Sequence, residues 1–261
     1  MSPTPAPMPF DLVEVPAATD DPLAAERDLL AMASDGRCVA HLWQLPPSLV
    51  VPRSYQRFAA LERARAEFAQ RSCPVFLRMS GGGLVPQGPG IVNLSLAYRV
   101  RGTVGELSEA VYRHLCEILR HALGSLGVRT HWQAVEGSFC DGRFNLASGP
   151  PDDARKIAGT AQYWRRLEAA SQGASAPLNV VLAHAVLLVS ADPAEINARA
   201  NAFEGAIGSG RHYLPGRVVS VQQALAATGG AALDGEIDAR VMSALRACVS
   251  EAVAPGDPRA G

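Results

Sequence analysis

Lysine is almost absent from this 261-residue chain. Its lysines and arginines number 24; 23 are arginine, and Lys156 is the one lysine. An ammonium is a compact charge on a flexible stem and can aim its donors at a single oxygen, which a planar guanidinium fork does less well. A lone ammonium on an arginine background therefore marks Lys156 as a candidate for chemistry. Net charge is also nearly absent, at −1. That excludes a nucleic-acid or anionic-membrane partner recognised through bulk charge. The five cysteines (38, 73, 116, 140 and 248) are odd in number and widely spaced, with no CxxC. Neither a disulfide framework nor a zinc site is indicated, so no metal is expected. Long apolar runs are missing too. The longest, Leu178 to Val189, is interrupted by Asn179 and His184 and is far short of the roughly 20 residues that span a bilayer. The first residues, MSPTPAPMPFDLVEVP, lack a basic stretch followed by an apolar one. No secretory signal is expected, and a cytoplasmic location follows as the expectation.

What is present is a mixture of short strands and separate helices. Helical spacing covers residues 23–33, 58–70, 104–126, 193–203, 222–227 and 237–253. Asp192 and Pro193 form a helix start, and Gly127 a helix stop. Strand-like segments cover 38–45, 49–51, 75–79, 92–100, 128–135, 155–164 and 180–189. The pattern predicts an α+β fold rather than strict strand–helix alternation. Residues 1–9 and 254–261, rich in Pro, Gly and Ala, are expected to be disordered tails.

Four stretches carry the chemistry. Arg78-Met79-Ser80-Gly81-Gly82-Gly83 follows a strand, and its glycines permit positive φ and close approach of backbone to another group. Taken alone the triplet is equally a hairpin turn, and no Gly-Lys-Ser/Thr follows to make it a phosphate loop. Gln87-Gly88-Pro89-Gly90 then turns into a strand holding Asn93. The second stretch is Glu136-Gly137-Ser138-Phe139-Cys140-Asp141-Gly142-Arg143-Phe144-Asn145-Leu146, the third Arg155-Lys156-Ile157-Ala158-Gly159-Thr160-Ala161-Gln162. The fourth is His184 within an aliphatic strand. Cys140 lies 16 positions before Lys156, and a neighbouring ammonium would lower its pKa. The residue types alone leave Cys140 either a nucleophile or a small half-buried hydrophobe. They leave His184 either at a ligand or satisfied within the strand.

In this order and at these separations the four stretches resemble the biotin/lipoate protein ligase family, most of all its lipoate and octanoate branch. The resemblance covers roughly residues 20–225. It implies a mixed β-sheet with helices packed on one side, and an acyl chain lying in a tunnel beside the glycine loop. It implies a catalytic domain over residues 10–225 with a helical extension over 226–253. It places Cys140 and Lys156 as catalytic, and Arg78, Ser80, Gly81, Gly82, Gly83, Asn93, Gly159 and His184 around the substrate. The Cys140 stretch is similar to that of octanoyl amidotransferases, whose cysteine at this place is the nucleophile. The implied activity is therefore octanoyl or lipoyl transfer, through a cysteine thioester, to the lysine of a lipoyl carrier domain. Such domains belong to the glycine cleavage H protein or the E2 of a 2-oxoacid dehydrogenase; acyl carrier protein is a further candidate donor. No cofactor is required on this reading. ATP and Mg enter only under the alternative of a ligase forming lipoyl-AMP, and a second alternative is a non-catalytic relative that binds lipoate or lipoyl domains. The chain departs from the family at Gln87, where octanoyl transferases carry His before Gly-Pro-Gly, and at residues 149–154, which lengthen the loop before Lys156.

Overall fold

The computed structural model describes residues 8–15, 23–168, 176–229 and 236–255. The expected tails lie outside these residues except at positions 8–9 and 254–255. There Met8 O accepts the Ala254 N–H at 2.9 Å, and Pro9 bridges Val253.

Among the described residues there are ten strands. A seven-stranded sheet takes the order β1 (Asp11–Leu12), β2 (Val39–Trp43), β6 (Ile91–Arg101), β10 (Leu178–Leu188), β9 (Arg155–Arg166), β8 (Leu146–Ser148), β7 (His131–Trp132). Its β1–β2 pair is parallel and the rest antiparallel. A small sheet has β3 (Ser48–Pro52) between β4 (Val75–Arg78), parallel, and β5 (Val85–Gln87), antiparallel. The fold is thus α+β with mixed sheets.

Strand alternation assigns the two faces of the large sheet. Val92, Leu94, Leu96 and Tyr98 of β6, with Val181, Ala183, Ala185 and Leu187 of β10, face one core. Helix α3 (Val104–Ser125) covers it, starting at a Thr103–Glu106 capping box and burying Leu107, Val111, Leu115, Ile118, Leu119 and Ala122. Gly127, at φ +89°, stops the helix as expected. A further helix, Ile237–Glu251, lays Ile237, Val241, Leu245 and Val249 into the same core. The opposite face carries α1 (Ala24–Ser34) against Val39, Ala97, Val180 and Leu182. Beside α1 it carries the small sheet, with α2 (Leu61–Gln70) and α4 (Pro193–Ile207) packed behind it. Helices therefore stand on both sides, α3 and the Ile237–Glu251 helix on one and α1, α2 and α4 on the other. With both faces covered, β10 reads almost continuously apolar, which is why His184 stands out within it.

Strands β1, β5 and β8 are two or three residues long, too short for an alternation to be read. The strand expected over 128–135 contracts to β7, whose partner β8 ends at Ser148, just before Gly149 at φ +98°. The helix expected from Phe58 begins at Leu61. Phe58 is extended, its N–H closing a 3-10 turn on Tyr55 O at 2.9 Å.

Candidate active site

The site lies between the large sheet and the small one. Cross-strand register sets two rows of side chains on the sheet face opposite α3: Trp43, Asn93, Val186, Gly159, and one step along His41, Ser95, His184, Ala161. Trp43, Asn93, Val186, Gly159, His184 and Ala161 of these rows floor a cavity, whose far wall includes Val50, Val85, Arg78 and Ser80. Cys140 lines this cavity. It also lines a groove bounded by Gly82, Gly83, Ser138, Asp141, Arg211 and Tyr213.

Arg78 ends β4 and is buried beneath the glycine loop. Nη1 donates to Val50 O at 3.0 Å, and Nη2 to Gly81 O at 2.8 Å and Gly83 O at 2.7 Å. Cys140 Sγ lies 4.0 Å from Nη2 and accepts the Gly83 N–H at 3.2 Å. The glycines are needed for this approach. A Cβ on Gly82, at φ +102°, would come within 2.7 Å of Sγ, and one on Gly83 within 3.3 Å of the Cys140 Cα. Gly81 has nothing within 4 Å of that position. The loop and the cysteine are one packed unit.

Cys140 itself has φ +47°, a left-handed conformation unusual outside glycine. Its loop is held by the Asp141 carboxylate, which accepts the Val135 N–H at 2.8 Å, and by buried Phe139 in the core behind the small sheet. The Cys140 carbonyl accepts from Asn145 Nδ2 at 3.2 Å and from Lys156 Nζ at 2.9 Å. Lys156 Nζ also donates to Phe139 O at 2.6 Å. A bulge in β9 makes this reach possible. Leu146 pairs with Ala158 and Ala147 with Lys156, so Ile157 is the extra residue, and Lys156 swings onto the face of Gly159. A Cβ on Gly159 would lie 2.9 Å from Nζ, so this glycine makes room for the ammonium.

The electrostatics follow from burial and these contacts. Burial pushes the Cys140 thiol up. The Lys156 ammonium, the Arg78 guanidinium and the Gly83 N–H outweigh it and hold the thiol below its ordinary value. Lys156 is brought down to about 8 by burial, partly countered by Cys140 and Asp141. The other cysteines shift the opposite way: burial raises Cys38, Cys73 and Cys248, and takes Cys116 to about 12.

His184 sits on the floor, held to about pH 3 by burial and by the Arg78 charge, so its imidazole is neutral. The Trp43 indole donates to Ser95 Oγ at 3.0 Å, and Ser95 Oγ is 3.0 Å from His184 Nδ1. His184 Nε2 lies 3.3 Å from Glu26 Oε1. Asn93 is buried and exchanges amide hydrogen bonds with Gln87, at 3.0 and 2.8 Å. Ser80 is 1% exposed, with an Oγ that meets no partner among the described residues. Of the ten residues singled out from sequence, Arg78, Ser80, Asn93, Cys140, Gly159 and His184 line the cavity, Gly82 and Gly83 line the groove with Cys140, Lys156 is buried behind Cys140, and Gly81 lines neither space. Sequence reasoning missed Glu26, Trp43 and Ser95, which only strand register and α1 packing bring there. Among the described residues no cluster of His, Cys, Asp and Glu could hold a metal ion, and no helix is long and apolar enough to cross a membrane.

The family model of the lipoyl protein ligase A/B catalytic domain matches residues 19–228. The chain belongs to that family. It is accordingly an acyltransferase enzyme of the lipoate-protein ligase family, and octanoyl or lipoyl transfer is the chemistry of its branch. An uncharacterised protein of Cupriavidus necator is 63% identical over 252 residues, covering 95% of this chain and all of that one. An octanoyl-[GcvH]:protein N-octanoyltransferase of Kyrpidia tusciae is 34% identical over 227 residues, covering 82% of this chain and 76% of that protein. Among solved structures, lipoate-protein ligase A bound with ATP superimposes with a TM-score of 0.64 at 18% identity, covering 94% of this chain and 85% of that one. The bipartite lipoate protein ligase of Thermoplasma acidophilum, solved in work on an archaeal lipoylation system with its E2 lipoyl domain, gives 0.61 at 20% identity, over 94% and 83%. At such identities these two speak for the fold.

Proposed function

We propose that this family member transfers an octanoyl or lipoyl group to the lysine of a lipoyl carrier domain through a thioester on Cys140, without ATP. One observation carries the reading: the Cys140 sulfur is held by Gly83 N–H, beside Arg78 and Lys156, in a residue that lines both the cavity and the groove. The acyl chain takes the cavity above Val186 and Gly159. The donor arm, and later the acceptor lysine, take the groove past Asp141 and Arg211. The catalytic unit is residues 10–225.

The Cys140 thiolate adds to the acyl carbonyl of a thioester donor. The bond from that carbon to the donor sulfur breaks, and the leaving thiolate takes a proton from Lys156. The neutral ε-amine of the acceptor then attacks the Cys140 thioester. A C–N bond forms, the C–S bond to Cys140 breaks, and the amine's surplus proton returns to Lys156. A Lys156 pKa of about 8 makes both of its protonation states accessible. Exchange of one thioester for another is nearly neutral in free energy and aminolysis of a thioester runs downhill, so no nucleotide is needed. Arg78, buried under the loop, and the unpartnered Ser80 hydroxyl are suited to the negative charge that grows on the acyl oxygen.

Carrier domains of the glycine cleavage H protein or of a 2-oxoacid dehydrogenase E2 are the proposed acceptors. The Kyrpidia tusciae relative is named for the first, and the Thermoplasma acidophilum ligase was solved in work that included an E2 lipoyl domain. The test is transfer to a purified lipoyl domain from octanoyl-carrier-protein or from an octanoylated H protein, with and without ATP; with the second donor the bond broken is the amide C–N, the departing lysine amine takes the proton, and the net exchange of one amide for another is nearly neutral. Transfer without nucleotide supports the thioester route. Strict dependence on free lipoate and ATP selects a ligase, and no modification with any donor selects a non-catalytic binder.

A further inference from the structure

Opposite Lys156, on the groove side, stands a second buried polar cluster that the reaction above does not use. Tyr55 is 1% exposed and Glu204 is fully buried. The Tyr55 hydroxyl oxygen accepts two hydrogen bonds, from Leu84 N–H at 3.2 Å and from Arg211 Nη1 at 2.5 Å. Both partners can only donate, so the phenol's own proton is committed elsewhere, to Glu204 Oε1 at 2.7 Å. Tyr213 donates to the same oxygen at 2.7 Å, while Glu204 Oε2 is buried and meets no hydrogen-bond partner among the described residues. A buried carboxylate served by two phenols is an expensive way to fill a core. Burial and Glu204 push the Tyr55 phenol up to about 12, which keeps it a donor.

The geometry shows what this cluster grips. The peptide unit joining Gly83 to Leu84 has its carbonyl on Arg78 and its N–H on Tyr55. The preceding N–H, that of Gly83, is the one aimed at Cys140 Sγ. Tyr55 and Arg78 therefore hold the glycine loop from opposite sides, one residue from the amide that supports the sulfur. Through Arg211 the same phenol holds the outer wall of the groove. Asn201, exchanging bonds with the Tyr213 backbone at 2.7 and 2.8 Å, ties that wall to α4.

We propose that Tyr55 and Glu204 are a positioning pair: Glu204 orients the Tyr55 hydroxyl, and Tyr55 sets the Gly83 amide against the Cys140 sulfur and fixes Arg211 at the groove. The inference rests on the proposed role of Cys140 for its effect on turnover, but not for its effect on the thiol.

The experiment measures the pH dependence of Cys140 alkylation by iodoacetamide, read by peptide mass spectrometry, beside acyl transfer to a lipoyl domain. The variants are Tyr55→Phe, Glu204→Gln and Glu204→Leu. Other groups facing the thiol are Arg78, Lys156, Asp141, Arg211 and Tyr112, all left in place. Tyr55→Phe moves the alkylation midpoint upward by about half a unit to one unit and lowers kcat about tenfold, with circular dichroism and melting unchanged in form. Glu204→Gln keeps an oxygen acceptor and stays within about twofold of the parent; Glu204→Leu, where it folds, follows Tyr55→Phe. An alkylation profile of Tyr55→Phe superimposing on that of the parent overturns the inference, as does a Glu204→Gln protein as impaired as Tyr55→Phe. If Cys140→Ala still transfers acyl groups while Tyr55→Phe shifts the alkylation midpoint, the thioester route fails and the positioning pair stands.

Discussion

Lys156 Nζ donates to the main-chain carbonyl of Cys140 at 2.9 Å. With its bond to Phe139 O, the ammonium holds the left-handed backbone of the cysteine and lends its charge to the sulfur at once. That leaves at most the third N–H of this lysine for an acyl oxygen.

Lys156→Arg is therefore not conservative. The planar guanidinium meets two carbonyls set for a point charge, in space limited by Gly159. Lys156→Met removes charge and both hydrogen bonds. Both variants are expected to raise the alkylation midpoint of Cys140 and to lower acyl transfer by at least about 10²-fold. Alkylation followed across pH checks the first, and single-turnover transfer the second.

The glycine triplet divides by position. Gly81→Ala meets open space and should retain transfer within about twofold. Gly82→Ala sets a Cβ 2.7 Å from Sγ at φ +102° and should cost about 1–3 kcal/mol of stability with loss of transfer. Denaturant melts and transfer rates on the two proteins decide it.

The acylation half-reaction should have a bell-shaped pH profile. Its rate rises as the Cys140 thiolate forms, below the ordinary thiol value of 9.0, and falls as Lys156 loses its proton through about 8. Rapid-quench acylation across pH 5 to 10 would measure it.

His184 makes the fold acid-sensitive. Its folded-state pKa, about 3, lies below the ordinary 6.5, so below pH 6.5 the unfolded chain binds a proton that the folded one does not. Stability from this group is full above 6.5 and falls by up to about 1.4 kcal/mol per pH unit down to about pH 3. His184→Asn lacks that slope. Urea melts at pH 7 and pH 5 should show the parent losing more stability than the variant; equal losses would refute the assignment.

Much of the site was legible because its chemistry is concentrated in short stretches. Lys156 stood out by being alone, Arg78 by preceding three glycines, and His184 by breaking an aliphatic strand. The reasons for these residues were harder to read. The glycine triplet reads as a cradle for a ligand, yet two of its members are shaped by Cys140, some 57 positions away. The β9 bulge that turns Lys156 to the cysteine depends on pairing with β8, whose three residues carry no visible alternation. Tyr55 lies between Ser54 and Gln56, and Glu204 in a helix like any other glutamate. Only the docking of the small sheet on α4 makes partners of residues 149 positions apart.

The most direct measurement is the intact mass of the enzyme after incubation with an octanoyl thioester of carrier protein, with no nucleotide present. The account predicts a gain of one acyl group, released by hydroxylamine, passed on to an added lipoyl domain, and absent from a folded Cys140→Ala protein. An unmodified enzyme that nonetheless transfers, or an acyl group that persists on Cys140→Ala, would contradict it.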